Sequence, residues 1–464
     1  MKTLRFKPVP INRVGCNTVK PFDTYVFDIE VYPNYFLVAF KSVTTGDVVY
    51  FEMTGDGEAC YLDDLWSMAY RHTLVGFNSA NFDLPLYWMA AKGASLQSLH
   101  ETAQAIIENE EMAREVLENL PKINHIDLIE VAPLKASLKL YGGRMHCERM
   151  QDLPIQPGTN LTAAQIEIVR DYCINNDLVI TETLFKELSQ QIELRKAMSD
   201  QYGIDLRSKS DAQVAEAVIG AEMKRITGRY PRRPKVAQEK PLMYTAPSYI
   251  EYLSPDLKEV LRKVTTTPFI VSNGKILDPF SESGGLSVKI ANGVYRMGIG
   301  GLHSSEVGVS HESDENFILI DRDVASYYPS IILNRRLYPP QLGEEFLTVY
   351  GEIVKRRLEA KNSEKPEDKV VADSLKITIN GSFGKFGSPY SILYAPELLL
   401  AVTMTGQLSL LLLIEMLEYY GIPVVSANTD GIVMKCPRES VEKANKVIRL
   451  WEEMTGFLTE ETRY

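Results

Sequence analysis

The chain has 464 residues, enough for two or more domains with sizeable cores, and its 45% hydrophobic content is that of a globular protein. Its 61 acidic against 50 basic residues leave a net charge of −11, which excludes a protein that coats nucleic acid nonspecifically; any phosphate track must be local. Cys16, Cys60, Cys147, Cys173 and Cys436 are too dispersed for a zinc knuckle or a disulfide framework and suit a reducing cytosol.

From the start, residues 1–10 lack the apolar core of a secretory signal. Residues 24–40, TYVFDIEVYPNYFLVAF, read as a strand that passes through Asp28 and Glu30 and returns as a second strand. The period of two puts both acids on one side. Residues 75–86 end another apolar run at Asn78 and Asp83, and residues 101–120 read as an acidic amphipathic helix without chemistry. The stretch 137–154, with Tyr141-Gly142-Gly143-Arg144 and Gln151-Asp152, is rich in turns, and 168–181 is helical and offers Tyr172 and Asp177. Any one of these acids could be a cap or a surface charge. Four carboxylates on three elements, with a phenol, are what a two-metal site needs to direct water at a phosphodiester.

Motifs are sparse from 189 to 282. A basic run at 224–240 interleaves Arg225, Arg229, Arg232, Arg233 and Lys235 with Tyr230, which suits a phosphate track with a stacking ring or a solvated linker equally. Residues 286–301 read as a hairpin turning at Asn292-Gly293, leading into the glycine-rich 298–304 with His303 as a structural hydrogen bonder. Residues 317–320 have the make-up of a buried strand, which ends on Asp321 and Asp323 and meets Ser326, Tyr327, Tyr328 and Pro329.

Two helices are expected at 354–362 and 375–387, joined by a polar loop at 363–368. Arg357 and Lys361 share a face of the first, and Lys376, Asn380 and Phe383 share a face of the second. Three cations converging from such a pair suit a triphosphate. The apolar run 398–420, broken by Gln407 and Glu415, reads as a buried helix rather than a membrane span. Residues 421–437 read as a hairpin with Asp430 exposed at its 428–431 tip, and 439–455 as a last amphipathic helix. Brought together, Asp323 and Asp430 make a platform for two Mg²⁺ ions about 4 Å apart.

The segments Asp323-Val-Ala-Ser326-Tyr327-Tyr328-Pro329-Ser330, Lys376-x-x-x-Asn380-Gly-Ser-Phe383-Gly384 and Asn428-Thr429-Asp430-Gly431 resemble, in order and spacing, the three polymerase motifs of family B DNA polymerases. The resemblance covers roughly 298–435. It implies a palm interrupted by helical fingers, metal ligation by Asp323 and Asp430, and a triphosphate site of Arg357, Lys361 and Lys376 with Asn380. It also implies Tyr328 as a steric gate against a 2′ hydroxyl. The third motif departs from the family in carrying Asn428 where a first Asp is usual.

Over roughly 21–188, Asp28, Glu30, Asp83 and Asp177, with Asn78, resemble the 3′ to 5′ exonuclease domain of the DEDD superfamily, tyrosine subtype. Four metal ligands and a catalytic Tyr172 are implied. The tyrosine of that subtype stands four residues before the last Asp, whereas Tyr172 stands five before Asp177 and Cys173 takes its place. Either the helix is locally distorted or Asn176 lies nearer the metal.

Together these readings imply an α/β and α+β multidomain chain: a ribonuclease-H-like exonuclease domain at 1–188, an intermediate region at 189–284, palm at 285–345 and 387–464, and fingers at 346–386. The expected activity is DNA-directed DNA synthesis with proofreading, using two Mg²⁺ per site, or Mn²⁺ in their place. Primer-template DNA and deoxynucleoside triphosphates are the partners, with no membrane. The family pattern continues beyond this point with a thumb, so the chain is expected to be a fragment or to work with a separate thumb polypeptide. A stand-alone 3′ exonuclease and a noncatalytic half of a split polymerase are the alternatives. Compactness points to a phage or mobile-element replicase, acting in a bacterial host's cytoplasm if the source is a phage.

Overall fold

The structure, a computed structural model, describes residues 22–54, 62–108 and 123–464. Cys16, Cys60, residues 1–10 and the second half of the expected acidic helix lie outside them. The chain divides into two units, Met1–Ser210 and Asp211–Tyr464.

In the first unit, near-continuous β-branched and aromatic runs build a five-stranded sheet. Strands β1 (Thr24–Tyr32), β2 (Tyr35–Ser42) and β3 (Val48–Thr54) form an antiparallel meander, and β4 (Thr73–Gly76) and β5 (His125–Asp127) add parallel strands, giving the order β3-β2-β1-β4-β5. Both faces are covered, which explains why the strands lack a polar alternate. Along β1, Tyr25, Phe27 and Ile29 enter a core with the helices Leu62–Arg71, Asp83–Ala91 and Leu96–Glu108. Val26 and Tyr32 enter the opposite core with Val169, Cys173 and Leu178. Asp28 and Glu30 share this second side by the period of two, which sets them toward the segment 163–187.

In the second unit, β6 (Glu239–Leu242), β7 (Phe269–Ser272) and β8 (Lys275–Ile276) make a small sheet. The main sheet has seven antiparallel strands: β9 (Leu286–Ile290), β10 (Gly293–Met297), β11 (His303–Ser304), β12 (Phe317–Val324), β13 (Val424–Asn428), β14 (Gly431–Pro437) and β15 (Thr459–Arg463). Their order is β15-β12-β14-β13-β11-β10-β9. Between β12 and β13 the chain leaves the sheet through four helices, Tyr327–Asn334, Glu345–Lys361, Pro366–Phe386 and Pro396–Tyr419.

Several local expectations change. Strand β12 runs through both acids to Val324, because β14 on one side and β15 on the other pair with that stretch. The first hairpin turns at Ala291-Asn292, with Ala291 at φ 50°, and Gly293 already pairs with Ile290. Both expected helices begin earlier, at Glu345 and Pro366. Strand β15 follows the last helix, Val441–Thr455, and has no counterpart in the sequence reading.

Pro396–Tyr419 is, among the described residues, the one helix long and apolar enough to cross a membrane, with 83% of its most apolar window buried inside the protein. Its two polar breaks explain why. Gln407, 1% exposed, accepts from Gly298 N–H at 3.0 Å and donates to the Gly298 and Gly300 carbonyls at 2.8 and 3.0 Å. Glu415 accepts from the Leu253 and Ser254 amides at 2.9 and 2.7 Å. Buried polar groups this fully bonded tie loops to a core helix.

Candidate active sites

Two separate acidic clusters stand out, one in each unit. In the first unit, Asp83 opens its helix and accepts the Ile29 amide of β1 at 3.1 Å, which brings the carboxylate between Asp28 and Glu30 along the strand. The third element is held in a way that answers the spacing of Tyr172 and Asp177. The α-helix Ala163–Tyr172, started by a Thr162–Gln165 capping box, passes into a π-helical turn at Cys173–Asp177 before α geometry resumes at Leu178. A π turn accommodates one extra residue. Residues five apart then share a side, and the Tyr172 hydroxyl donates to the Asp177 carboxylate.

Of the two alternatives left open by the sequence, the distorted helix is the arrangement present. Asn176 is spent elsewhere: its Oδ1 accepts the Gln151 amide at 2.9 Å and its Nδ2 donates to Asp177 Oδ1 at 2.7 Å. Asn78, at φ 56°, sits in the turn before Asp83, where its side-chain Oδ1 accepts from Asn81 Nδ2 at 2.9 Å and its backbone amide bonds Asp127. Asp127, which the sequence reading passed over, is 1% exposed and accepts the Ala80 amide at 2.9 Å, bracing the loop that leads to Asp83. A three-residue strand gives too short an apolar pattern to single it out.

The cluster is electrostatically frustrated. Burial first, then the charges of Asp177, Asp83 and Glu30, hold Asp28 well above the usual carboxylate range. Burial and then Asp177 and Asp83 do the same to Glu30. Asp83 is pushed up to about 8 by burial and Asp127. Asp177 rises to about 6 by burial, against the hydrogen bonds from Asn176 and Tyr172. Like-charged carboxylates so arranged need either protons or a cation.

In the second unit the two acidic tips meet by strand pairing. Asp323 lies opposite Gly431 in the β12–β14 ladder, and the Val324 amide donates to the Asp430 carbonyl at 2.8 Å. The tip is tight: Thr429 takes φ 54° and its amide donates to the Leu302 carbonyl at 2.7 Å. A Cβ on Gly431 would fall 2.0 Å from Asp323 Oδ1, and one on Gly301 would fall 2.9 Å from the Thr429 Cα. Glycine at these two positions therefore lets the carboxylate and the tip occupy their places. Partial loss of solvent, then Asp321, Asp430 and Glu460, lifts Asp323 above its ordinary value; loss of solvent also lifts Asp430, with Asp321 adding to it. Glu460, directly opposite Asp323 on β15, is a member that sequence reading missed with its strand.

A cavity of about 410 Å³ opens beside Asp430 and is lined by Ser326, Tyr328, Tyr350, Arg357, Asn380, Phe383 and Thr429 among others. Arg357 Nη1 donates to Ser326 Oγ at 3.0 Å. The Tyr328 and Phe383 rings lie 4.2 Å apart between centroids, which fixes the Tyr328 ring. The expected convergence of three cations is only partly present. Lys361 is paired with Glu460 at 2.8 Å, and Lys376 is exposed, one turn before Asn380, outside the cavity lining. Asn428 is exposed, with its Oδ1 accepting from Thr429 Oγ1 at 3.2 Å, and His303 pairs with it across the β11–β13 ladder.

No protein-family model and no curated protein sequence matches the chain. Its fold is similar to that of the family B DNA polymerase from the hyperthermophilic archaeon Pyrobaculum calidifontis, at a TM-score of 0.50 and 16% identity over 95% of this chain. The chain spans 56% of the length of that polymerase, so the likeness is one of fold: a mixed α/β, multidomain architecture of polymerase type.

Proposed function

We propose that the second unit transfers deoxynucleotides to the 3′ end of a primer on a DNA template and that the first unit removes them again. The observation that carries the reading is the pairing of Asp323 with the Asp430 tip at the mouth of a cavity whose other walls offer Arg357, Asn380 and Tyr328. The donors at that mouth are carboxylate oxygens, a set that fits Mg²⁺ and not a thiolate-seeking ion. Asp323 and Asp430 would hold it, and when bound it would supply Lewis acidity to the attacking hydroxyl and the departing pyrophosphate.

The chain's own residues do the rest. Arg357 presents a fork of donors to the phosphates. Tyr328, held by Phe383, occupies the space a 2′ hydroxyl would need. Lys361 becomes available to the triphosphate when it exchanges Glu460 for phosphate oxygens. In this reading 285–345 and 387–464 form the palm and 346–386 the fingers.

In the first unit, Asp28, Glu30, Asp83 and Asp177 would hold Mg²⁺, which relieves their mutual repulsion. Tyr172, tied to Asp177, would orient the water that attacks the phosphodiester. The test is a labelled primer-template with Mg²⁺ and all four deoxynucleotides: Asp323→Asn and Asp430→Asn should each abolish extension while DNA binding stays within about twofold. Extension by either variant at the unsubstituted rate would refute the polymerase reading.

A further inference from the structure

The basic run of 224–240 has no part in the chemistry above, and in the fold it forms a strap across the second unit. The helix Asp211–Thr227 precedes it, β6 begins at Glu239, and residues 228–238 between them belong to neither helix nor strand. Apolar anchors hold them down. The Tyr230 ring lies on Gly220, where a Cβ would fall 2.5 Å from the Tyr230 hydroxyl oxygen. Pro234 lines a cavity of about 260 Å³ with Pro340, Gln341 and Tyr394. Val236 lies against Gly274, where a Cβ would fall 3.3 Å from Val236 Cγ1 and 2.7 Å from Pro389 Cβ. The Gln238 carbonyl accepts the Asn273 amide at 3.1 Å.

Between these anchors Arg229, Arg232, Arg233 and Lys235 are exposed, and none has an ion-pair partner among the described residues. Carboxylates beside the strap are already taken: Glu216 by Lys385 at 3.0 Å, Glu222 by Arg225 at 2.7 Å and Glu397 by Lys240. In a chain of net charge −11 the strap is therefore a local positive field. A second and independent feature lies beside it. Val236 and Pro389 both bound the place of a Gly274 Cβ, which sets the turn carrying Tyr390 against the strap. Tyr390 is 75% exposed and has no ring or hydrogen-bond partner among the described residues.

We propose that Arg229, Arg232, Arg233 and Lys235 with Tyr390 form a binding track for single-stranded DNA, separate from the lining of the candidate polymerase cavity. A row of cations follows phosphates, and an exposed ring stacks a base of any sequence. The anchored backbone has less freedom to lose on binding than a loose linker. From Arg229 to Lys235 the chain reaches at most about 20 Å, matched by about four nucleotides, the lower end of such site sizes. A duplex keeps its bases stacked inside, so Tyr390 favours the single strand. The track rests on the polymerase reading only for its purpose, which is to hold the unpaired part of the template.

The experiment titrates the full chain into a labelled thymidine oligonucleotide of about 20 nucleotides, in chelator and without deoxynucleotides, over a series of salt concentrations. Joint replacement Arg229→Ala, Arg232→Ala and Arg233→Ala should weaken binding at least about tenfold at low salt and lower the log–log salt slope by about 2, at about 0.7 per lost phosphate contact. The same three positions replaced by Lys should keep the slope. Tyr390→Ala should weaken binding at least about fivefold with the slope unchanged. All four positions are exposed, so the melting temperature should not move. No binding by the unsubstituted chain, unchanged affinity in the alanine variant or in Tyr390→Ala, or equal losses on a blunt duplex of the same length would overturn the proposal. Extension of a primed template in Mg²⁺ is read in parallel. Strap-dependent binding without extension defeats the polymerase reading and leaves the track standing; extension with strap-independent binding does the reverse.

Discussion

Gly431 shows how closely the candidate polymerase centre depends on single atoms. Its missing Cβ leaves the place that Asp323 Oδ1 occupies, so Gly431→Ala should push the Asp323 carboxylate aside and cut extension by about 10²-fold, with the melting temperature little changed. A purified variant that extends at the unsubstituted rate would rule out that role for the contact. Tyr328 is expected to act by bulk alone. Tyr328→Ala should raise incorporation of ribonucleotides relative to deoxynucleotides by roughly 10- to 100-fold, measured as a ratio of kcat/KM, and an unchanged ratio would remove it as a gate. His125, outside both centres, gives a pH test. Burial first, and then the Arg207 charge, lowers it from 6.5 to about 4, so the fold keeps it neutral while the unfolded chain takes up a proton. Its contribution is intact above pH 6.5 and is lost as pH falls from 6.5 toward 4, on the order of 3 kcal/mol. His125→Gln should flatten that part of the melting-temperature profile.

The π turn at Cys173–Asp177 is an element whose function can be tested by length. Deleting Asn175 would restore a four-residue spacing and let an ordinary α-helix run through. Residues four apart share a face of an α-helix, so Asp177 should keep Tyr172 beside it, and digestion should stay within about tenfold of the unsubstituted rate with extension spared. A loss of digestion of about 10²-fold in a folded variant would mean that the site needs the π turn itself. This element also marks how far sequence could go. Asp28 and Glu30 on one side of β1, the Asp430 tip and the buried helix through Gln407 were all readable, because a period of two, an Asp-Gly turn and an uninterrupted apolar run are local signals. The register of the helix around Cys173 was not, since a π turn leaves the residue types of a helix unchanged. Strand β15 was hidden for a related reason. Thr459–Arg463 has a burial pattern with no buried residue, and only its pairing with β12 makes it a strand. Lys361 looked free for phosphate until that strand brought Glu460 to it.

For the molecule as a whole, opposite reactions are proposed for the two units, which have separate cores and separate carboxylates. Neither cluster shares a residue with the other, so damage to one should leave the other working. The most direct measurement is a crossed assay on one labelled primer-template in Mg²⁺, with and without all four deoxynucleotides, comparing the unsubstituted chain, Asp28→Ala and Asp323→Ala. Asp28→Ala should lengthen the primer and never shorten it, and Asp323→Ala should shorten it and never lengthen it. Shortening by Asp28→Ala at the unsubstituted rate, or lengthening by Asp323→Ala, would contradict the proposed division of labour.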